Sequence, residues 1–222
     1  KKGFPELVDR MSPSVSPMIA SGRILKELYK DAKVVFFAPC IAKKAEMKEK
    51  DLMGSIDFAV NFTELEEIFK ALDINVATLP SDEKDQASFV GRLYARTGGV
   101  SLSVKSVVNR LEPTRLIKLK AKQVDGVKNL KDALNELKEN PDEPQQYNFL
   151  EGMGCQGGCV GGPRTIIDTD TGTKYANQFG EESVIMTPFD NVKVMKILKQ
   201  LGIDSIEELI TNERAKKILL RD

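Results

Sequence analysis

Between Met153 and Pro163 the chain places two thiols and five glycines, in the order Met153-Gly-Cys155-Gln-Gly157-Gly158-Cys159-Val-Gly-Gly-Pro163. Glycine packs no side chain and loses more backbone entropy on folding than other residues. Such density therefore marks tight turns or close approach of backbone to a ligand. Two thiols separated by three residues in that setting suggest soft-metal coordination. A flexible backbone carrying N–H groups also suits an anionic iron–sulfur cluster, whose sulfides accept hydrogen bonds. The third thiol stands in Phe36-Phe-Ala-Pro39-Cys40-Ile-Ala-Lys43-Lys44. Lys43 would bring an ammonium near Cys40, lowering a thiolate pKa or holding an anionic ligand. Plainer readings stand beside these. A cysteine ending a strand is also a small buried hydrophobe, and Lys43-Lys44 is also a solvated pair. Three thiols with no histidine leave a tetrahedral zinc site one ligand short.

The rest of the composition narrows the chemistry. The 222 residues contain no histidine, so Ser-His-Asp and Cys-His mechanisms lack their usual base. Lys plus Arg and Asp plus Glu both number 33, so no net field recruits nucleic acid or an anionic membrane. The basic run Lys118 to Lys122 has acidic neighbours and reads as a solvated edge, and the lack of tryptophan argues against a base-stacking platform. Three cysteines do not form a disulfide framework and fit a reducing compartment, with cytoplasm the default. The apolar runs, such as Val34 to Ala38, are too short to cross a bilayer. Lys1-Lys-Gly-Phe-Pro5 has no apolar signal region and no initiator methionine, which suggests processing or a truncated chain.

Elements must then carry these residues. Ser16 suits a helix N-cap and Pro17 the first helical position, opening a helix over 18–29. Strands are expected at Lys33 to Phe37 and Ser55 to Val60, and Thr63-x-x-Glu66 reads as a capping box opening a helix from Glu64 to Leu72. Helices follow at 85–94 and 100–111, with Thr97-Gly98-Gly99 between them. A strand is expected at 115–121, a helix at 130–137, a polar loop at 140–144 and a short strand at 147–150. Asp168 to Thr173 reads as a turn, with helices at 190–201 and 206–210 and a helical tail. This rhythm predicts an α/β fold with a mixed, largely parallel sheet or sheets flanked by helices. Ligands in such folds bind outside the carboxyl ends of strands, where Cys40 and Cys155 both fall.

Both cysteine segments together resemble the iron-only ([FeFe]) hydrogenase large subunit, C-terminal catalytic domain. Pro39-Cys40-Ile-Ala-Lys43-Lys44 is similar to that family's Met-Pro-Cys-x-x-Lys-(Lys/Arg) motif. Glu151-Gly-Met153-Gly-Cys155-Gln-Gly-Gly-Cys159-Val-Gly-Gly is similar to Glu-x-Met-x-Cys-x-Gly-Gly-Cys-x-x-Gly-Gly. Ser16-Pro17, Asp57-Phe-Ala-Val60 and Thr97-Gly98-Gly99-Val100 add to the likeness, which runs from about Ser12 to Pro163. The resemblance implies an H-cluster, in which a [4Fe–4S] cubane is joined through a thiolate to a diiron unit bearing CO, cyanide and a bridging dithiolate. Cys40, Cys155 and Cys159 would be metal ligands, with Cys159 also bridging to the diiron unit. Lys43 would donate to a diiron cyanide, and Lys43 and Cys159 would be the catalytic pair. Ser16, Pro17, Met153, Gly157 and Gly158 would border the cofactor.

The implied reaction is reversible reduction of protons to dihydrogen. The implied partners are ferredoxin or an N-terminal ferredoxin-like module, and hydrogenase maturation proteins, with no nucleic acid or membrane. Residues 1–222 would form part of the two-lobed catalytic domain. Residues 1–32 would be a helical edge of the first lobe, 33–163 the cluster-binding αβ core and 164–222 a helical C-terminal segment. The family's Cys-Cys-Pro motif, source of a fourth cubane ligand and a proton-donating cysteine, would precede Ser16 by some twenty residues. No cysteine precedes Cys40 here, so a fragment cut downstream of that motif, inactive alone, is expected. Ala38 stands where the motif has Met, and Met18 follows Ser-Pro where a polar residue is usual. These departures also suit a sensor or an iron–sulfur assembly or interaction module of hydrogenase-like type.

Overall fold

The strand–helix alternation folds as parallel pairs. The computed structural model describes residues 3–80, 87–140 and 146–221. In chain order the elements are α1 (Pro17–Leu28), β1 (Val35–Phe37), α2 (Ala42–Glu46), β2 (Phe58–Val60), α3 (Phe62–Ala71), α4 (Phe89–Arg92), α5 (Gly99–Leu111), β3 (Ala121–Asp125), α6 (Val127–Glu139), β4 (Phe149–Met153), α7 (Thr169–Glu181), α8 (Val192–Gln200), α9 (Glu208–Thr211) and α10 (Glu213–Leu219). β1 pairs with β2, and β3 with β4, both in parallel. The expected α/β class, with short parallel sheets flanked by helices, is what forms. Two compact units result, one of Lys1–Met11 and Asp82–Val192, the other of Ser12–Ser81 and Lys193–Asp222. Among the described residues, no helix is long and apolar enough to cross a membrane.

In the β1–β2 unit, α1 buries Met18 and Ile19 against Val15, Val34, Leu52 and Ile56. Its Ile24 and Leu28 lie on a second core built by Leu201, Ile203, Ala215 and Ile218. Chain ends distant in sequence are thereby joined. Arg23 reinforces the join by donating to the carbonyls of Lys217 and Leu220 at 2.8 and 2.9 Å. The α3 capping box sits earlier than expected, with Asn61 rather than Thr63 as the cap. Asn61 Oδ1 accepts from Glu64 N at 2.9 Å, and Glu64 Oε2 accepts from Asn61 N at 2.9 Å. Asparagine is the stronger N-cap, and Thr63 Oγ1 turns to donate to it at 2.7 Å.

Just before β2, Asp57 accepts from Val34 N at 2.7 Å and pairs with Lys26 at 2.8 Å, tying α1 to β1. The Lys26 hydrogen bond, then that of Val34, holds the Asp57 carboxyl below its ordinary range. A depressed carboxylate stabilises the fold above the unfolded pKa, and that contribution is lost as pH falls through the folded value. Acidification from neutrality to below about pH 4 is expected to lower the denaturation midpoint. Asp57→Asn should show a shallower acid limb in the same titration; an unchanged limb would count against this role.

In the β3–β4 unit, the strand expected at 115–121 forms instead at Ala121–Asp125. Leu116 and Ile117 are left almost wholly exposed. Pairing decides this, because Asn148 donates to Lys118 O and accepts from Lys120 N, setting the register just before β4 begins. β4 runs to Met153, three residues beyond the expected end. The segment 168–173 is not a turn but the start of α7. Asp168 caps it, accepting from Thr171 N at 2.9 Å and from Thr171 Oγ1 at 2.7 Å. Turn-forming residue types were here the N-terminal signal of a helix. The expected 85–94 helix appears as α4 followed by a 3₁₀ turn over Leu93–Ala95. Residues 85 and 86 and most of the 140–144 loop lie outside the described residues.

Candidate metal centre

β4 delivers the glycine–cysteine loop directly from Met153, and three neighbouring segments hold its shape. Asp125, at the end of β3, accepts from Gly157 N and from Thr97 Oγ1 through the same oxygen, Oδ2, each at 2.9 Å. Thr97 N in turn donates to Gly157 O at 3.0 Å, and Arg96 pairs with Gly158 in an isolated antiparallel bridge. Arg96 is itself oriented by Asn177 of α7, whose Oδ1 accepts from Nε at 2.6 Å. Within the loop, Gly158 N donates to Cys155 O, and Gly162 N donates to Cys159 O across a short 3₁₀ turn.

Gly158 has φ +87° and ψ −152°, a region open essentially to glycine alone. A Cβ there would lie 2.7 Å from Thr97 N and 2.8 Å from the Arg96 carbonyl carbon. Gly158 thus serves close contact within the protein. The amides of Gly157 and Gly158, expected beside a cofactor, are spent on Asp125 and on Cys155 O.

Glu151 anchors the strand behind the loop. Its side chain is buried, yet it accepts from Gly98 N at 2.8 Å and Ser101 N at 2.7 Å, at the N-terminus of α5. Those are orphan amides of a helix start, and the helix dipole favours negative charge there. Burial, with the Glu151 charge as the lesser cause, pushes the Tyr94 hydroxyl pKa up.

The remaining expected residues belong to the β1–β2 unit. Cys40 is half-buried and follows β1 after Ala38, whose N–H extends the strand pairing by donating to Val60 O at 3.1 Å. Lys43 lies on α2 and forms an ion pair with Glu46, while Lys44 pairs with Glu64. Ser16 occupies the N-cap of α1 but makes no side-chain cap. Its Oγ is buried and has no hydrogen-bond partner among the described residues.

The structure therefore brings together Met153, Cys155, Gly157, Gly158 and Cys159 in one unit, and Ser16, Pro17, Cys40 and Lys43 in the other. Cys155 is half-buried, Cys159 is exposed, and no described cysteine is in a disulfide. Within neither unit do three Cys, Asp, Glu or His side chains of the described residues converge as a ready-made metal site. Sequence reasoning did not single out Asp125, which accepts from Gly157 and Thr97 beside the loop. Its signal was an acid before glycine at a strand end, where ligand loops gather. The pairing of Glu151 with Gly98 and Ser101 had no local signal, because the partners lie 50 or more residues apart.

Fold and loop define an αβ protein that carries thiols just beyond the carboxyl ends of parallel strands. The chain belongs to the iron-only hydrogenase large subunit, C-terminal domain family, whose model matches residues 1–163. Iron hydrogenase 1 of Clostridium pasteurianum is 31% identical over 196 residues, which span 72% of this chain and 34% of that protein. The periplasmic [Fe] hydrogenase large subunit of Nitratidesulfovibrio vulgaris is 26% identical over 205 residues, covering 74% and 48% respectively. The chain thus spans between a third and a half of these relatives. The solved apo [FeFe]-hydrogenase HydA1 from Chlamydomonas reinhardtii superposes with a TM-score of 0.73 at 17% identity. That match covers 99% of this chain and 71% of HydA1, and it shows a shared fold.

The family implies an iron–sulfur H-cluster, and the residues present fit such a group in kind. Thiols are the soft donors that iron–sulfur clusters use. The buried Ser16 hydroxyl, with no hydrogen-bond partner among the described residues, is a polar atom of the sort a bound group satisfies.

Proposed function

We propose that this chain supplies the greater part of an H-cluster domain, and that its parent protein catalyses 2H⁺ + 2e⁻ ⇌ H₂. The observation that carries this reading is the Cys155–Cys159 loop, locked beyond β4 in a chain of this family. Cys40, Cys155 and Cys159 would hold a [4Fe–4S] cubane, with Cys159 joining it to the diiron unit. When bound, that group supplies electron storage and the site of proton reduction. Met153 would offer an apolar wall, and Ser16 and Pro17 a border with one hydroxyl. Lys43 would give its ammonium to an anionic ligand, exchanging its present partner Glu46. Ferredoxin or a ferredoxin-like module would exchange electrons, and hydrogenase maturation proteins would load the diiron unit.

A second reading, a hydrogenase-like sensor or iron–sulfur assembly module, draws on the Lys43–Glu46 pair and on Ala38 and Met18. Anaerobic reconstitution with iron and sulfide tests the common part. The visible iron–sulfur absorption should appear in the protein and be mostly lost in Cys155→Ser and in Cys159→Ser; serine variants that retain it would refute the ligand assignment. Infrared bands of metal-bound CO and cyanide in the matured full-length protein then separate the readings. Their absence would leave only the second.

A further inference from the structure

We infer that Asp125 is the positioning residue of the cysteine loop, acting through the backbone of Gly157. This rests on reading Cys155 and Cys159 as ligands of one metal group. Gly157 is the middle residue of the five-residue span between and including the two thiols. Whatever fixes that midpoint sets how far apart the two cysteine-bearing arms stand. Asp125 does so from outside the loop, and its single oxygen Oδ2 receives both the Gly157 amide and the Thr97 hydroxyl.

The anchorage on the other side is rigid. Asp125 is the last residue of β3, in register with Met153, the last residue of β4. The loop's two ends of support, the strand it leaves and the carboxylate it returns to, therefore belong to one parallel pair. Asn129 on the first turn of α6 donates to Asp125 O at 2.9 Å, which steadies the residue at the strand–helix junction. Thr97 completes a closed circuit, because its hydroxyl reaches Asp125 while its amide reaches Gly157 O.

Both donors to the carboxylate are neutral, and the oxygen's role is to accept. An amide oxygen can accept in the same place, whereas a methyl group cannot. Asp125→Asn should therefore preserve most of the positioning and Asp125→Ala should abolish it. Loss of an acceptor for a partly buried amide, where the bond involves a charged group, is worth roughly tenfold or more in an equilibrium constant.

The test measures thiol spacing without any cluster. Phenylarsine oxide captures two thiols only when they can reach one arsenic atom, and it releases water as both As–S bonds form. With the reduced protein, carrying Cys40→Ser to isolate the loop pair, Asp125→Ala should weaken arsenical binding by roughly tenfold. Asp125→Asn should stay within about threefold of the parent, since the acceptor is kept. Thr97→Val, which removes one side of the circuit, should fall between them and serves if Asp125→Ala does not fold. Wild-type arsenical affinity in Asp125→Ala, or in Thr97→Val in its place, would overturn the inference. So would Asp125→Asn as weak as Asp125→Ala. Reconstituted cluster should show the same order in its paramagnetic resonance line shape. If the parent chain forms no iron–sulfur cluster, the proposed function fails while the arsenical series still judges the positioning.

Discussion

Gly158→Ala is expected to be a severely damaging single-methyl substitution in the cysteine loop. The new Cβ would stand 2.7 Å from Thr97 N, 2.8 Å from the Arg96 carbonyl carbon and 3.0 Å from Ala95 O. All three are backbone atoms, so no side chain can swing aside. The residue would also have to hold φ +87° and ψ −152°, which an L-residue with a side chain avoids. Strain and overpacking together should cost roughly 3 kcal/mol or more. For a chain of this size that lowers the melting temperature by about 6–12 °C. Relief of the clash would require the Arg96–Gly158 bridge to open, so iron–sulfur uptake should fall as well. Gly154→Ala is the control in the same loop, because a Cβ there meets nothing within 4 Å. Its stability should stay within about 0.5 kcal/mol of the parent. Equal melting temperatures for the two variants would contradict the packing described.

Glu151→Leu should be the second large loss. Leucine roughly fills the volume but leaves Gly98 N and Ser101 N without their acceptors in a buried setting. Each orphaned amide costs about 1–3 kcal/mol, so a total near 2–4 kcal/mol is expected after partial relaxation. Glu151→Gln separates the causes, since its carbonyl oxygen can serve one amide while its NH₂ faces the other. An intermediate melting temperature is expected for Gln. Hydrogen exchange should quicken at the first turn of α5 in both variants, because that turn loses its cap. Unchanged exchange at Gly98 and Ser101 would show that the carboxylate does not hold the helix start.

The cysteine loop and the αβ rhythm were legible because their signals are local. Glycine density, thiol spacing and the Ser16-Pro17 helix start are all set within a few residues. Local reading failed where a partner distant in sequence made the choice. The apolar stretch containing Leu116 and Ile117 looked like a strand, but the chain pairs from Ala121 onward, because Asn148 sets the register. Asp168 and its threonines looked like a turn, yet they cap α7, whose Gly172 and Gly180 are buried. The glycines were expected to offer amides to a cofactor. In the fold Gly157 N donates to Asp125 and Gly158 N to Cys155 O, and Gly158 has its reason in the backbone of Arg96 and Thr97.

Residue types alone determined that this protein carries soft thiol donors after strand ends, with no histidine and no net charge. They also carried the motif spacing that defines its family. Only the tertiary structure decided what holds the donors in place. Asp125 reaches Thr97 and Gly157 across 28 and 32 residues, and Glu151 reaches Gly98 across 53. A short motif records which atoms can bind. The restraint on those atoms comes from hydrogen bonds closed over long loops, and such bonds exist only once the chain has folded.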